Sequence, residues 1–260
     1  MNAGCGYETH CGIALQGVEV QTERMAEQRR GEEGIKDAEW VARKKKALEV
    51  DRRLAVAFGI TLPADDRDIV HELIHAVLSQ NTHRRNYNLA YGRLMEEFGT
   101  VQAIAEAPLS RIEEAIRPGG LSKQKSTAIK EILGVIREKR GDCSLEFVRD
   151  MSVPDARRFM QSLPGVGPKT ASVVLMFADG RKVLPVDTHV LRTSKRIGLI
   201  DENTSAEQAQ SELETLVPPA KRPGMHLNLV HLGREVCHAR NPAHEVCPVN
   251  AVCDYYQGSR

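Results

Sequence analysis

Apolar residues recur along this chain at intervals of three and four rather than two from Asp37 onward, the period of a helix with one buried face. Ile69, Val70, Leu73, Ile74, Val77 and Leu78 form one stripe and Ile129, Ile132, Leu133 and Ile136 a second. A third, Ala206, Ala209, Leu213, Leu216 and Val217, follows Ser205-x-x-Gln208, a capping-box pattern. No alternating stretch is long enough to predict a strand. Breaks at Pro118-Gly119-Gly120, Gly141, Gly165-Val166-Gly167, Asp179-Gly180 and Pro218-Pro219 leave helices of about 8 to 18 residues joined by short turns. The pattern predicts an all-α fold, with no internal repeat of the solenoid type.

Composition narrows the class. At 260 residues the chain can form one large or two modest domains, and 41% hydrophobic with 27% charged residues is a globular balance. The longest apolar run, Val173 to Ala178, falls far short of the roughly 20 residues that cross a bilayer, and the N-terminus lacks a basic segment followed by an apolar core. Neither a membrane span nor secretion is expected. Residues 1–36 read as a mobile extension, in which Cys5, His10 and Cys11 are taken as bystanders.

The 36 basic and 35 acidic residues give a net charge of +1, which excludes a protein that coats a polyanion with its whole surface. Nucleic-acid affinity must come from local patches. Two runs suggest themselves: Arg117, Lys123, Lys125 and Lys130 with no acid among them, and residues 181–196, where Asp187 is the only acid. Three of six cysteines crowd into the last 24 residues, a metal-like cluster in a reduced chain rather than a disulfide frame. A cytoplasmic, nucleoid-associated protein is expected.

The most informative segment is Leu163-Pro164-Gly165-Val166-Gly167-Pro168-Lys169-Thr170-Ala171. Two glycines one residue apart permit positive φ, so that backbone N–H groups converge on one point, and a phosphate suits that point. The helix that Pro168 starts adds the positive end of its dipole. Lys169 lies in that first turn, where the dipole and partial desolvation would lower its pKa toward a usable amine; a phosphate clamp is the other reading of such a lysine. A helix of about ten residues, roughly 15 Å long, then a turn at Asp179-Gly180 and an extended return of about 20 Å, bring Asp187 back near the height of Lys169. Asp187 also precedes a helix, Thr188 to Arg192, and can cap it with one carboxylate oxygen.

LPGVGPKTASVVL followed, eighteen residues after its lysine, by the Asp of PVDTHVLR resembles the endonuclease III family, helix-hairpin-helix DNA glycosylases of base-excision repair. The likeness covers roughly residues 37–254. It implies that Lys169 attacks C1′ of a damaged nucleotide and that Asp187 supports base departure and proton transfer. It also implies that Gln80, in Val77-Leu78-Ser79-Gln80-Asn81-Thr82, and Leu121, after Pro118-Gly119-Gly120, fill the space left by an extruded base. Gly165, Val166, Gly167 and Thr170 would hold a phosphate, with Arg240 reaching another. The sequence departs from the family at His83-Arg84-Arg85, where an acidic residue is usual, and at Ser122, where an aromatic is common.

Cys237, His244, Cys247 and Cys253 read C-x6-H-x2-C-x5-C, against the family's four cysteines at the same spacing around a [4Fe-4S] cluster. The resemblance implies such a cluster with Cys3His ligation. Zinc is the rival, since three thiolates and an imidazole also make a tetrahedral zinc set.

Two helical lobes are expected, a multi-helix barrel over 61–181 ending in the hairpin and a second lobe combining 37–60 with 182–260 and carrying the metal. Double-stranded DNA containing damaged bases or abasic sites would lie in the groove between them, bound by a monomer. The implied reaction is excision of an oxidised pyrimidine through a Lys169 Schiff base, followed by β-elimination. The alternatives are a monofunctional or mismatch-specific glycosylase on the same scaffold, and a non-catalytic helix-hairpin-helix DNA-binding protein.

Overall fold

The computed structural model describes residues 37–62 and 67–258; the N-terminal extension with Cys5 and Cys11 lies outside them. The described residues form α-helices joined by turns and short 3-10 segments, with no strand among them. In chain order they are α1 (37–57), α2 (Ile69–Ser79), α3 (Arg84–Phe98), α4 (Val101–Glu106), α5 (Leu109–Ile116), α6 (Ser122–Arg140), α7 (Val153–Gln161), α8 (Pro168–Phe177), α9 (Thr188–Ile197), α10 (Ala206–Leu216), α11 (Arg222–Glu235) and α12 (Asp254–Gly258). Several starts follow directly from sequence. Asp68 Oδ1 accepts from the amides of Val70 and His71 at 2.8 and 3.1 Å, Thr100 and Ser152 cap α4 and α7, and Ser205 with Gln208 closes the expected capping box on α10. The expected lengths missed the extremes, because α1 runs 21 residues among those described while α12 has 5.

The buried apolar residues separate into two clusters. The first takes the stripes of α2 and α6 with α3, α4, α5, α7 and α8, from Ile69 to Ala178. The second takes Ala47, Val50 and Leu54 of α1 together with residues from Leu184 to Cys253, on α9, α10, α11 and the C-terminal loops. Each fully buried Leu or Ile in either cluster contributes roughly 1.5–3 kcal/mol. A polar network joins the two: Gln210 Nε2 donates to Ser172 Oγ at 2.6 Å, and Glu214 pairs with Arg157 of α7 while accepting from Leu184 N at 2.9 Å.

Candidate active site

The hairpin lies between α7 and α8. Gly165 has φ 70, a left-handed conformation that favours glycine. Gly167 does not share it: its φ is −86 and ψ 177, extended backbone open to any residue, so only one of the two glycines answers the expectation of positive φ. An added Cβ at Gly167 would meet no atom within 4 Å, so the protein itself does not require glycine there. Val166 spends its amide on Leu163 O at 3.2 Å and buries its side chain in the first core. Pro168 starts α8 and Lys169 stands exposed in its first turn, where the amides have no intrahelical partner. Thr170 faces inward, its hydroxyl 3.5 Å from Gln80 Nε2.

Beyond α8, the amide of Arg181 returns to Leu175 O at 2.9 Å and its guanidinium holds Asp179 and Arg149 O, which fixes the turn. The chain then runs without regular structure to Asp187, the N-cap of α9. Asp187 Oδ1 accepts both cap bonds, from His189 N at 2.9 Å and Val190 N at 2.8 Å, which leaves Oδ2 outside the cap. Lys169 and Asp187 line one cleft of about 770 Å³.

Sequence reasoning missed the other walls of this cleft. His226 of α11 is 5% exposed and donates Nδ1–H to Pro185 O at 2.8 Å, which leaves Nε2 as an acceptor. Burial drives its pKa down to about 4; the Asp187 carboxylate and Pro185 carbonyl pull upward, Lys169 and Arg234 downward. The opposite wall is α2 against α3. His71 Nδ1 and the Tyr91 hydroxyl share a 2.7 Å hydrogen bond, His75 meets Tyr87 and Tyr91 edge-on, and buried Glu72 pairs with Arg67 at 2.9 Å. Burial, then Glu72, pushes the Tyr91 phenol up. The signal was there: His71 and His75, like Tyr87 and Tyr91, are four apart, hence on one helix face.

Three non-glycine residues among those described have left-handed backbone: Asn81, Leu121 and Asn241, with φ of 51, 51 and 52. Such residues are uncommon and cluster where structure serves function. Each sits in or beside a segment singled out in the sequence, next to Gln80, at Leu121 and next to Arg240. Leu121 is 49% exposed, Asn81 and Arg240 are exposed, and Gln80 is half-buried.

The basic runs are largely structural. Lys125 is 4% exposed and donates to Leu78 O and Gly119 O at 2.8 and 3.0 Å; Lys130 donates to the carbonyls of Ala105 and Ala107. Arg192 and Arg196 bind carbonyls of Gly233, Cys237, His238 and Ala239. Arg117, Lys123 and Lys182 remain exposed. Spacing could not distinguish an inward cation from an outward one.

Cys237, His244, Cys247 and Cys253 line one recess behind α9. Burial and the neighbouring thiols push up the thiols of Cys247 and Cys253, so thiolates there need a compensating cation. Arg196 Nη1 lies 3.4 Å from Cys237 Sγ, and Cys253 Sγ donates to Arg196 O at 3.2 Å. His244 stacks on Tyr256 with ring centroids 4.9 Å apart. Among the described residues no three His, Cys, Asp or Glu side chains converge on a point where they could hold a single metal ion. In donor chemistry the recess fits an iron-sulfur group, with three sulfurs and one imidazole on a common wall.

Comparison with known proteins gives two family matches. Residues 74–219 match the HhH-GPD superfamily base excision DNA repair protein model, and residues 237–253 the iron-sulfur binding domain of endonuclease III. Endonuclease III of Thermotoga maritima is 33% identical over 192 residues, 74% of this chain and 85% of the relative. Among solved structures, a trapped endonuclease III–DNA covalent intermediate superimposes with a TM-score of 0.71 at 28% identity, over 83% of this chain and 98% of the other. A thermostable thymine-DNA glycosylase superimposes with a TM-score of 0.69 at 26% identity, over 82% and 98%.

Proposed function

Because the chain belongs to the endonuclease III family within the HhH-GPD superfamily of base excision DNA repair proteins, we propose that it excises oxidised pyrimidines from duplex DNA and cuts the strand at the resulting abasic site. The observation that carries this reading is the shared cleft of Lys169 and Asp187. The Lys169 amine attacks C1′ of an extruded nucleotide, and the base leaves with the glycosidic electron pair and is protonated. Loss of a proton from the amine and opening of the sugar ring give an imine between Nζ and C1′. A proton then leaves C2′ and the C3′–O bond breaks, expelling the strand on the 3′ side with its phosphate at its new 5′ end and leaving an unsaturated sugar on the imine. Asp187 Oδ2, outside the cap, stabilises positive charge on the sugar as the base departs.

Double-stranded DNA with a damaged base or an abasic site would lie along the cleft. Amides of the hairpin segment Gly165–Thr170 that the turn does not use hold one phosphate, Val166 anchors that hairpin in the core, and Arg240 reaches a second phosphate. Gln80, its neighbour Asn81, and Leu121 probe the stack. Cys237, His244, Cys247 and Cys253 would hold a [4Fe-4S] cluster that staples their loop; zinc is the alternative. Absorption near ~400 nm in anaerobically purified protein supports the cluster, and a colourless protein with stoichiometric zinc refutes it.

Borohydride reduction in the presence of an abasic duplex should yield a covalent adduct that Lys169→Gln abolishes. A second reading, a monofunctional glycosylase, is favoured by the likeness to the thymine-DNA glycosylase structure; base release without any adduct selects it. No base release from a panel of single-lesion duplexes, with DNA binding intact, selects the non-catalytic alternative.

A further inference from the structure

Lys125 is a buried cation that the proposed chemistry does not use. It lies in the first turn of α6, and its side chain runs back along the helix, as helical side chains do, to donate to Leu78 O and Gly119 O at 2.8 and 3.0 Å. These carbonyls belong to separate segments. Leu78 is in the last turn of α2, three residues before Asn81; Gly119 is in the turn after α5, two residues before Leu121. The backbone of Lys125 grips the second turn again, its amide donating to Leu121 O at 3.0 Å.

Both loops end on a side chain at a left-handed φ, which costs a non-glycine residue roughly 1–2 kcal/mol and persists only where the surroundings fix it. An apolar residue could fill the same space without desolvating a charge. What it could not do is hold the carbonyls of both segments at one atom. The ammonium has three donors, and two serve the two loops.

We infer that Lys125 is a positioning residue that locks the Asn81 and Leu121 loops into a single two-pronged wedge, so that both prongs enter the duplex in register. This rests on the reading that these loops probe DNA. One prong fills the space beside the extruded nucleotide while the other opens the stack; if their spacing drifts, each enters alone and the base falls back.

A test that needs no chemistry uses the full-length protein and a duplex carrying 2-aminopurine opposite a tetrahydrofuran abasic analogue, which the protein can bind and cannot cleave. Wedge entry unstacks the reporter, and its fluorescence rises. Lys125→Met should reduce that rise at least fivefold at saturating protein, and Lys125→Arg, which keeps several donors, should restore most of it. Strand cutting at an abasic site in single-stranded DNA, where nothing needs opening, should stay within twofold for Lys125→Met. A rise equal to wild type in Lys125→Met, or an equal loss on single-stranded DNA, overturns the inference. If Lys125→Met does not fold, Lys125→Gln, able to serve one carbonyl well, should give an intermediate rise; a full rise again overturns it. Leu121→Ala separates the premise: wild-type fluorescence in that variant shows that the loops are not the wedge, whereas its loss alongside a normal Lys125→Met shows that the wedge is real and Lys125 does not set it.

Discussion

At the scale of single residues, the cleft combines groups whose environments pull in different directions. His226 is held neutral, with Nδ1–H committed to Pro185 O, beside the carboxylate that caps α9. Its folded pKa of about 4 lies below the unfolded value of about 6.5, so the unfolded chain binds more protons between those values. The stability involved is complete above pH ~6.5 and is lost as pH falls through 4. Between pH 7 and pH 5, wild type should lose about 2 kcal/mol more unfolding free energy in urea than His226→Gln; equal losses would contradict this picture of the histidine. Leu121 offers a trade of stability against function. Leu121→Gly removes left-handed strain of about 1 kcal/mol from an exposed side chain and should leave the midpoint of unfolding unchanged or higher while base release from duplex DNA falls. Asp187→Asn keeps an N-cap and removes the charge, so it should fold normally, with a thermal midpoint close to wild type, and release bases at least tenfold more slowly.

At the scale of elements, α9 ties the cleft to the C-terminal loop. Its first cap is Asp187, and farther along Arg192 and Arg196 bind the carbonyls that surround Cys237. The helix packs against α11 at Gly233, where an added Cβ would lie 2.8 Å from His189 Cβ. Backbone and Cβ atoms cannot yield as a flexible chain end does, so α9 and α11 must separate to admit one. Gly233→Ala should cost about 1–3 kcal/mol despite the better helix propensity of alanine. Because α11 also carries His226, excision should fall further than stability alone accounts for, read as activity at a temperature where both proteins are folded. The element pattern was legible in advance wherever the stripe was long and the breaks were local: α6, α8 and α10 ended near their expected breaks, and α2 carries its expected stripe. The inward turn of Lys125 was not, because a lysine flanked by Gln124 and Ser126 reads as solvent-facing and gives no sign of which carbonyls lie across the core.

At the scale of the whole molecule, two apolar cores are joined by a polar network, and the cleft is lined from both sides, by α2, α3 and α8 of the first core and α11 of the second. The C-terminal recess belongs to the second core alone. Removing the metal with a chelator should speed hydrogen exchange in the loop 237–253 and at the C-terminal end of α9, while the amides of α2 and α6 keep their protection. Uniform loss of protection would show the cores to be one cooperative unit. What the sequence determined by itself was whatever depends on neighbours in the chain: helical period, caps, the hairpin, the family motif and the cysteine spacing; two legs of nearly equal length allow Asp187 to return toward Lys169, and the turn held by Arg181 gives them their direction. What only the tertiary structure decided was direction. Which of the clustered cations turn inward to hold carbonyls, which exposed loop residue stands at a left-handed φ, and which partner across the cleft the His and Tyr faces of α2 and α3 meet all depend on surfaces brought together by packing; intervals along the chain give the faces but not what they face.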